Sequence, residues 1–546
     1  MRVGRTTAQR VSEGRMAACR LTARRAAFIL GIVFLSSYAY FYQAGGWNQN
    51  SRFAVVRSIL ERHTLRIDAY SLHTGDKALW RGHYYSDKPP GTSLMVLPAV
   101  ALARGLSRLA GVDPESFPGI AWTSYVATVA SAGVFTAMAG LLVFFLLLRW
   151  GFSMGAALFA ATAYGLTGPA WSYATLFMSH GVTAGCLMAA YYAADTLRGQ
   201  RAPGVNVGDT GHDGSNRFRR TRNGVVLGLA SGWAVLTEFQ AVIPVAVIVG
   251  TAVLGSARLQ HDEPGGRLRA CGAFKRMVIA VALSALTCAL VLFAYNTMAF
   301  DSPLHLGYAS EEGFEHLRTG FFGITYPAWW RVREILVGDY RGLLPVFPLL
   351  ALTPIGLLRL AADRRHRTAA LVALFVGVYY FLLNASYFYW EGGWSYAPRQ
   401  LTPGLPFMAL GLAPLWDLGR LPPRSAFTQQ PSAMRVSPLT AVVRLSLLAG
   451  WVWGAGVTLV AVSTNPQPPS SFKAPMRELL WPAFRDGDLS LNHQTFVHGG
   501  ASPDQMRGNQ IPHAAWNLGE IAGLHGWASL VPLGLVWLAA LLALIV

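Results

Sequence analysis

The chain has 546 residues, 53% of them hydrophobic and only 13% charged, with a formal net charge of +18. Soluble domains carry about twice that share of charged residues, so the composition excludes an ordinary soluble enzyme and points to an all-α, polytopic membrane bundle. The placement of the charge also excludes a nucleic-acid partner: the cations sit in linkers between apolar runs, as in the cytoplasmic loops of membrane proteins.

In chain order, Arg2, Arg5, Arg10, Arg15, Arg20, Arg24 and Arg25 lead into the apolar run AAFILGIVFLSSYAYFY, which ends in aromatics and GGW with no small-residue cleavage site. We expect an uncleaved first span. Further spans are predicted near 124–148, 154–171, 180–197, 223–238, 241–256, 277–298, 342–359, 369–387, 401–417, 442–463 and 527–546, after a first at 26–42. Each is close to the roughly 20 apolar residues that cross a hydrocarbon core. About twelve or thirteen spans result, the ambiguous one being 92–110, which contains Pro98, Arg104 and Arg108. If it crossed once, the later arginine clusters (Arg198 to Arg222, Arg258 to Arg276, Arg359 to Arg367, Arg420 to Arg444) would fall outside. A re-entrant or interfacial helix, or a two-pass hairpin with the next apolar segment, keeps them inside. No internal repeat is visible.

The organisation expected is a basic cytoplasmic N-terminus over 1–25, a transmembrane domain over 26–463 with a first extracytoplasmic loop over 43–91, an extracytoplasmic loop over 464–526 and a last helix over 527–546. Outward loops at 299–341 and 388–400 complete the outer face. The four cysteines, Cys19, Cys186, Cys271 and Cys288, fall in cytoplasmic loops or spans, so no extracytoplasmic disulfide is predicted. In the first loop, RFAVVRSILERHTL (52–65) has Phe53, Val56 and Leu60 on one helical face, as in an interfacial strut or one wall of a substrate groove.

The same loop ends in DKALWRGHYYSDKPPG (76–91). A long outward loop closed by SDKPPG resembles the GT-C membrane glycosyltransferases of the protein-mannosyltransferase and lipid A aminoarabinose-transferase type. Three further stretches fit that resemblance in the same order: YNTMAFDSPLHLGY (295–308), EGGWSYAPRQLTPGLPF (391–407) and AWNLGEIAGLHGWASLVPL (515–533). It implies a GT-C-like fold and an enzyme that moves a sugar from a polyprenyl-phosphate donor to a hydroxyl of a lipid, glycan or protein, inverting the anomeric centre. It further implies a multi-pass inner (plasma) membrane protein with its site on the extracytoplasmic face. Family members carry an acidic pair just after the first span; here that place reads Trp47-Asn48-Gln49-Asn50-Ser51-Arg52, and an amide cannot take a proton.

Either the base is another acid of the loop, since the acceptor hydroxyl needs a carboxylate within hydrogen-bond reach, or the chain is not catalytic. Asp76, after Gly75, is preferred to Asp68, although aspartates also serve as turn caps. By the resemblance Lys88 contacts the donor phosphate; Pro89 and Pro90, with φ fixed near −65° and no N–H, hold it rigidly. Arg399 offers a bidentate second cation. Asn48, Arg52, His83, Tyr85, Trp394, Tyr396 and His180 are the candidate lining residues, with Glu238 as a further ionisable group near a turn. The aromatics also suit an interfacial belt. No cofactor is required; a divalent cation is chemically admissible, though no ligand spacing demands one. A transporter or flippase for a lipid-linked sugar is the alternative of a different class.

Overall fold

The computed structural model describes residues 7–198, 213–261, 267–314, 319–418, 437–492, 494–496 and 515–545. Arg2, Arg5, most of the 199–222 linker and 497–514 of the fourth outward loop lie outside the described residues, as do the side chains of Cys19 and Cys271. Cys186 and Cys288 are buried free thiols.

The fold is all-α and polytopic. Among the described residues, seven helices are long and apolar enough to cross a membrane: Leu21–Ala39, Phe117–Trp150, Phe239–Ala257, Gly272–Phe300, Arg367–Ser386, Pro438–Thr464 and Gly526–Leu544. Their ends carry ordinary stop and start chemistry. Ser116 caps the second by accepting from Gly119 N, and Gly151, at φ 91°, closes it; Ser437 accepts from Thr440 N ahead of Pro438. These are the side-chain N-caps, left-handed C-terminal glycine and first-turn proline that satisfy or remove the orphan groups of a helix end.

The other five expected spans take different forms. The segment 154–171 stops at Leu166 and restarts at Pro169. The helices Ser179–Leu197 and Asp213–Thr237 exist but are more polar than the seven. Two expected crossings are broken. The segment 342–359 resolves into Leu343–Val346, a 3₁₀ turn over Pro348–Leu352 and Thr353–Ala362; 401–417 resolves into Arg399–Gly404, Leu405–Ala409 and Leu412–Trp416. Pro345, Pro348 and Pro354 in one, and Pro403, Pro406 and Pro414 in the other, interrupt the hydrogen-bond ladder. Leu401 to Leu415 is nonetheless buried throughout, the setting in which broken backbone is tolerated at membrane depth.

Close helix contact comes from small residues. Gly224, Gly228 and Gly232 recur every four residues, and a Cβ added to them would meet Met277, Val281 and Cys288 of the neighbouring helix at 3.0 Å or less. This small-residue spacing lets two backbones approach in an apolar solvent.

An outer layer sits on this bundle. The helix Trp47–Arg62 is not the surface-lying helix expected for 52–65: Gln49 through Ser58 are all buried, with Phe53 packed on Val96, Val100, Ile120, Phe177 and Phe496. The ambiguous segment 92–110 is a single helix, Gly91–Leu109. It packs against Trp47–Arg62 and Phe117–Thr128 while Leu102, Leu106 and Leu109 face outward. Arg104 Nη1 pairs with Glu61 Oε1 at 2.6 Å, and Glu61, 1% exposed, also accepts from Arg57. A buried carboxylate stripped of a partner is costly; with Arg57 retained, Arg104→Ala is expected to lose roughly 2–4 kcal/mol, read as a lower Tm of the detergent-purified protein.

Candidate functional site

The chain builds the stretch Asp76–Gly91 in three steps. Ala78–Trp80 (β2) pairs antiparallel with His83–Tyr85 (β3), after the two-residue strand Phe41–Tyr42 (β1). Arg81 and Gly82 both have positive φ, 49° and 81°, the backbone of a type I′ turn that matches strand twist. Asp68 braces this hairpin: its carboxylate accepts from Tyr84 N at 2.6 Å and meets His83 Nδ1 at 2.9 Å. Asp68 and His83 are thus paired with one another, half-exposed, rather than with Lys88.

Beyond the hairpin the chain enters the interior. Ser86 Oγ meets Ser51 Oγ at 2.7 Å, Ser93 Oγ donates to Arg52 O, and Arg52 Nη1 donates to Pro89 O at 3.0 Å. These bonds tie the Lys-Pro-Pro element to Trp47–Arg62. Gly91 then packs on the end of Asp213–Thr237 so closely that a Cβ would sit 2.7 Å from the carbonyl of Leu236. The contact brings Lys88 and Glu238 into one neighbourhood.

Lys88 Nζ lies 2.7 Å from Asp87 Oδ2 and 3.0 Å from Asp76 Oδ2, with side chains 0–12% exposed, and 5.5 Å from the centre of the Tyr308 ring. Burial alone depresses an ammonium, but the carboxylates of Asp76 and Asp87 outweigh it and hold Lys88 above its usual value; it is charged. Burial pushes the Asp87 carboxyl up, with Lys88 pulling against it. Arg52 is also buried. Desolvation lowers its guanidinium, against the opposing pull of Tyr308, Glu238, Asp87 and Asp76. Its Nε donates to Asn48 Oδ1 at 3.1 Å and its Nη2 to Ser179 Oγ at 3.1 Å. Ser179 Oγ donates onward to Glu238 Oε1, which lies 2.6 Å from His180 Nδ1. Burial lifts the Glu238 carboxyl, but His180, Ser179 and Arg52 together bring it below the usual carboxylate range.

Beside this charged cluster is an apolar cavity of about 690 Å³, lined by Phe239, Tyr308, Phe322, Tyr379, Leu382 and Tyr387 among others. Two of its walls, Phe239–Ala257 and Arg367–Ser386, are spanning helices. Tyr308 belongs to both halves: it lines the cavity and faces Lys88 and Arg52. Tyr387, also on the cavity wall, lies within electrostatic range of Lys88, Arg399 and Asp76. A long hydrocarbon chain ending in an anion fits such a junction of grease and fixed positive charge.

The remaining candidates divide. Arg399 is half-buried and packs over Gly392, whose φ of 73° makes the turn. Tyr85 packs in a core cluster with Tyr295, Ala299 and Phe300, and Tyr396 in another with Val346, Val460 and Leu480. Both are core aromatics rather than cavity lining. Trp394 is half-buried in a loop held by Arg341, a nearly inaccessible side chain that donates to the carbonyls of Glu391 and Gly393. Among the described residues, no group of three or more His, Cys, Asp or Glu has the arrangement of a metal site.

Sequence reasoning missed Tyr308, Tyr387 and Arg341. Tyr308 ends one of the stretches that carried the family resemblance, but its periodicity gave no hint that the ring faces Lys88.

No family model matches the chain, and no curated protein matches it in sequence. Its structure is similar to ArnT from Cupriavidus metallidurans in the apo state, at 15% identity and a TM-score of 0.44, over 97% of this chain and 77% of that one. It is also similar to the same protein bound to undecaprenyl phosphate, at 15% identity and a TM-score of 0.41, over 84% and 73%. A third likeness is to the archaeal oligosaccharyltransferase AglB from Archaeoglobus fulgidus, at 14% identity and a TM-score of 0.43, over 88% of this chain and 61% of that one.

Gly307 sets the position of Tyr308, since a Cβ there would lie 2.8–3.0 Å from the backbone of Asp87. Gly307→Ala should push the 305–310 turn off Lys88 and cut activity about tenfold or more, as misplacements of an ångström do. The spanning helices do not depend on this contact, so far-UV circular dichroism should be unchanged.

Proposed function

We propose that the chain is a membrane glycosyltransferase of the inner (plasma) membrane. It takes a sugar from a polyprenyl phosphate and joins it to a hydroxyl of a glycan, lipid or protein at the extracytoplasmic face. The observation that carries this reading is the buried Lys88 ammonium, with a carboxylate 3.0 Å away, under a tyrosine that also lines an apolar cavity between two spanning helices.

In the proposed step the acceptor oxygen attacks the anomeric carbon from the side opposite the phosphate. The bond from that carbon to the phosphate oxygen breaks, its electron pair staying on the phosphate, and the acceptor proton goes to Asp76. One displacement inverts the anomeric centre. Lys88, supported by Arg52 and Arg399, meets the charge that the phosphate gains, which is where a preorganised cation is most effective. Trp47, which is 45% exposed, stands edge-on to Phe314 and forms a surface near the Asp76 turn on which a sugar face can stack.

The helix Ser179–Leu197 supports the proposed sidedness. Its first turn holds Ser179 and His180 of the site, while at its other end Asp195 binds Arg149 at 2.9 Å and Arg198 at 3.6 Å. Arginine-rich ends belong inside, which supports a cytoplasmic N-terminus, an outward site and loops 43–91 and 464–526 on the outer face.

Transfer from a labelled polyprenyl-phosphate donor in membranes tests the roles. Lys88→Ala should lower turnover by about 100-fold or more at normal protein levels, and Asp76→Asn by about 10²–10⁴-fold. Asp68→Asn, which touches only the hairpin, should stay within about tenfold of wild type. Full activity in Asp76→Asn would refute the base assignment. Transport of the lipid-linked sugar without transfer would establish the flippase alternative.

A further inference from the structure

The groups around Lys88 present a difficulty for any anionic ligand. Asp76 and Asp87 already satisfy the ammonium, so an incoming phosphate meets two carboxylates at the one point where it needs a cation. The two are not equivalent. Asp87 is fully enclosed, its carboxylate on Lys88 Nζ at 2.7 Å and within 3.5 Å of Ser51 Oγ. Asp76 keeps 11% of its side chain exposed; its carboxylate meets Lys88, while its turn is held through the backbone, by Asp76 N on Thr74 Oγ1, Thr74 Oγ1 on Trp47 O and Glu312 N on Lys77 O. Of the two, Asp76 is built to leave.

We propose that Asp76 is a resident stand-in for the donor phosphate: it occupies Lys88 in the empty site, and arrival of the lipid phosphate displaces it toward the acceptor. The proposal rests on the glycosyltransferase reading and adds a coupling to it. Without donor, the base is tied up in an ion pair with Lys88. With donor, Lys88 changes partner and Asp76 becomes a free carboxylate beside the acceptor hydroxyl.

The charges balance through the reaction. Before transfer the cluster holds Asp76⁻, Lys88⁺, Asp87⁻ and a phosphodiester monoanion. Afterwards Asp76 carries the acceptor proton and is neutral, and the phosphate, now a monoester, has gained one negative charge. The total does not change, which matters where burial penalises any net change in charge. Asp87 stays as the fixed countercharge that keeps Lys88 an ammonium in the empty site.

The test is binding of a short-chain polyprenyl monophosphate to the full chain in lipid nanodiscs by isothermal titration, with uncharged polyprenol and inorganic phosphate as the other arms. If Lys88 is free in about one molecule in ten, removing its resident partner should tighten binding by about tenfold. Asp76→Asn should therefore bind the lipid phosphate more tightly while losing transfer, and Lys88→Ala should bind it at least about tenfold more weakly. The Asp76→Asn gain should vanish in the Lys88→Ala background. Unchanged or weaker binding by Asp76→Asn, with Lys88→Ala still defective, would overturn the exchange and leave the phosphate role intact. A gain that persists without Lys88 would mean plain repulsion, and would also overturn it. Lys88→Ala binding like wild type would sink the underlying function. Binding of inorganic phosphate as tight as the lipid would remove the cavity's part. A readout on wild type alone covers misfolding of the variants: hydrogen exchange over 74–80 should speed up when the lipid phosphate is added, and unchanged exchange contradicts the displacement.

Discussion

An ammonium buried between two carboxylates, at the edge of an apolar cavity, is expensive to assemble, and much of the structure around it can be understood as what holds it there. Lys88 keeps its proton because Asp76 and Asp87 outweigh its desolvation. That balance survives only if the groups cannot drift apart. Pro89 and Pro90 stiffen the chain on one side. The hydroxyls of Ser51 and Ser86 pin it to the buried helix Trp47–Arg62, and Gly91 locks it against the carbonyl of Leu236. Arg52 extends the network through Ser179 to Glu238 and His180, so three separate parts of the sequence meet around one charge cluster. The cavity adjoins this cluster through Tyr308, so an apolar, aromatic-lined space and a fixed positive charge share one wall.

Legibility in the sequence tracked how local each signal was. Apolar length and flanking arginines announced a polytopic helical protein and located the seven robust spans. They did not report where prolines break a segment: 342–359 and 401–417 have the composition of crossings but not an unbroken ladder. Lys88 and Asp76 were readable because both lie in one short polar stretch, and the structure brings them to 3.0 Å. Asp68 ranked below Asp76 only for want of a preceding glycine; the hairpin geometry shows that it serves His83 and the amide of Tyr84. Tyr85 and Tyr396 carry no mark that separates a core aromatic from a lining one, since both environments ask for the same apolar ring. Tyr308 lies far along the chain from Lys88, and no periodicity reports a contact across that distance.

The broken segments are part of how the site is made. Continuous spanning helices offer side chains to lipid and to one another, whereas a turn at membrane depth can present backbone and polar groups to a cavity. The turn between Asp213–Thr237 and Val242–His261 places Glu238 beside His180. The 399–417 segment, buried from Leu401 to Leu415 and preceded by Ser395 and Ala397 that bond Tyr173, carries the half-buried Arg399 at its start. The amides at 48–50 cannot take a proton, so they leave the carboxylates of Asp68, Asp76 and Asp87 as the acids of the stretch 63–91. They also leave Asn48 with a different task, holding the Arg52 guanidinium through its Nε.

The most direct test is an experimental structure of the protein in a lipid nanodisc with a polyprenyl phosphate bound. The phosphate should lie within hydrogen-bonding distance of Lys88 Nζ, with the first isoprene units between Phe239–Ala257 and Arg367–Ser386 against Tyr308, Phe322 and Tyr379. A phosphate bound elsewhere, with Lys88 still closed on Asp76 and the cavity empty of lipid, would contradict the role given to that ammonium.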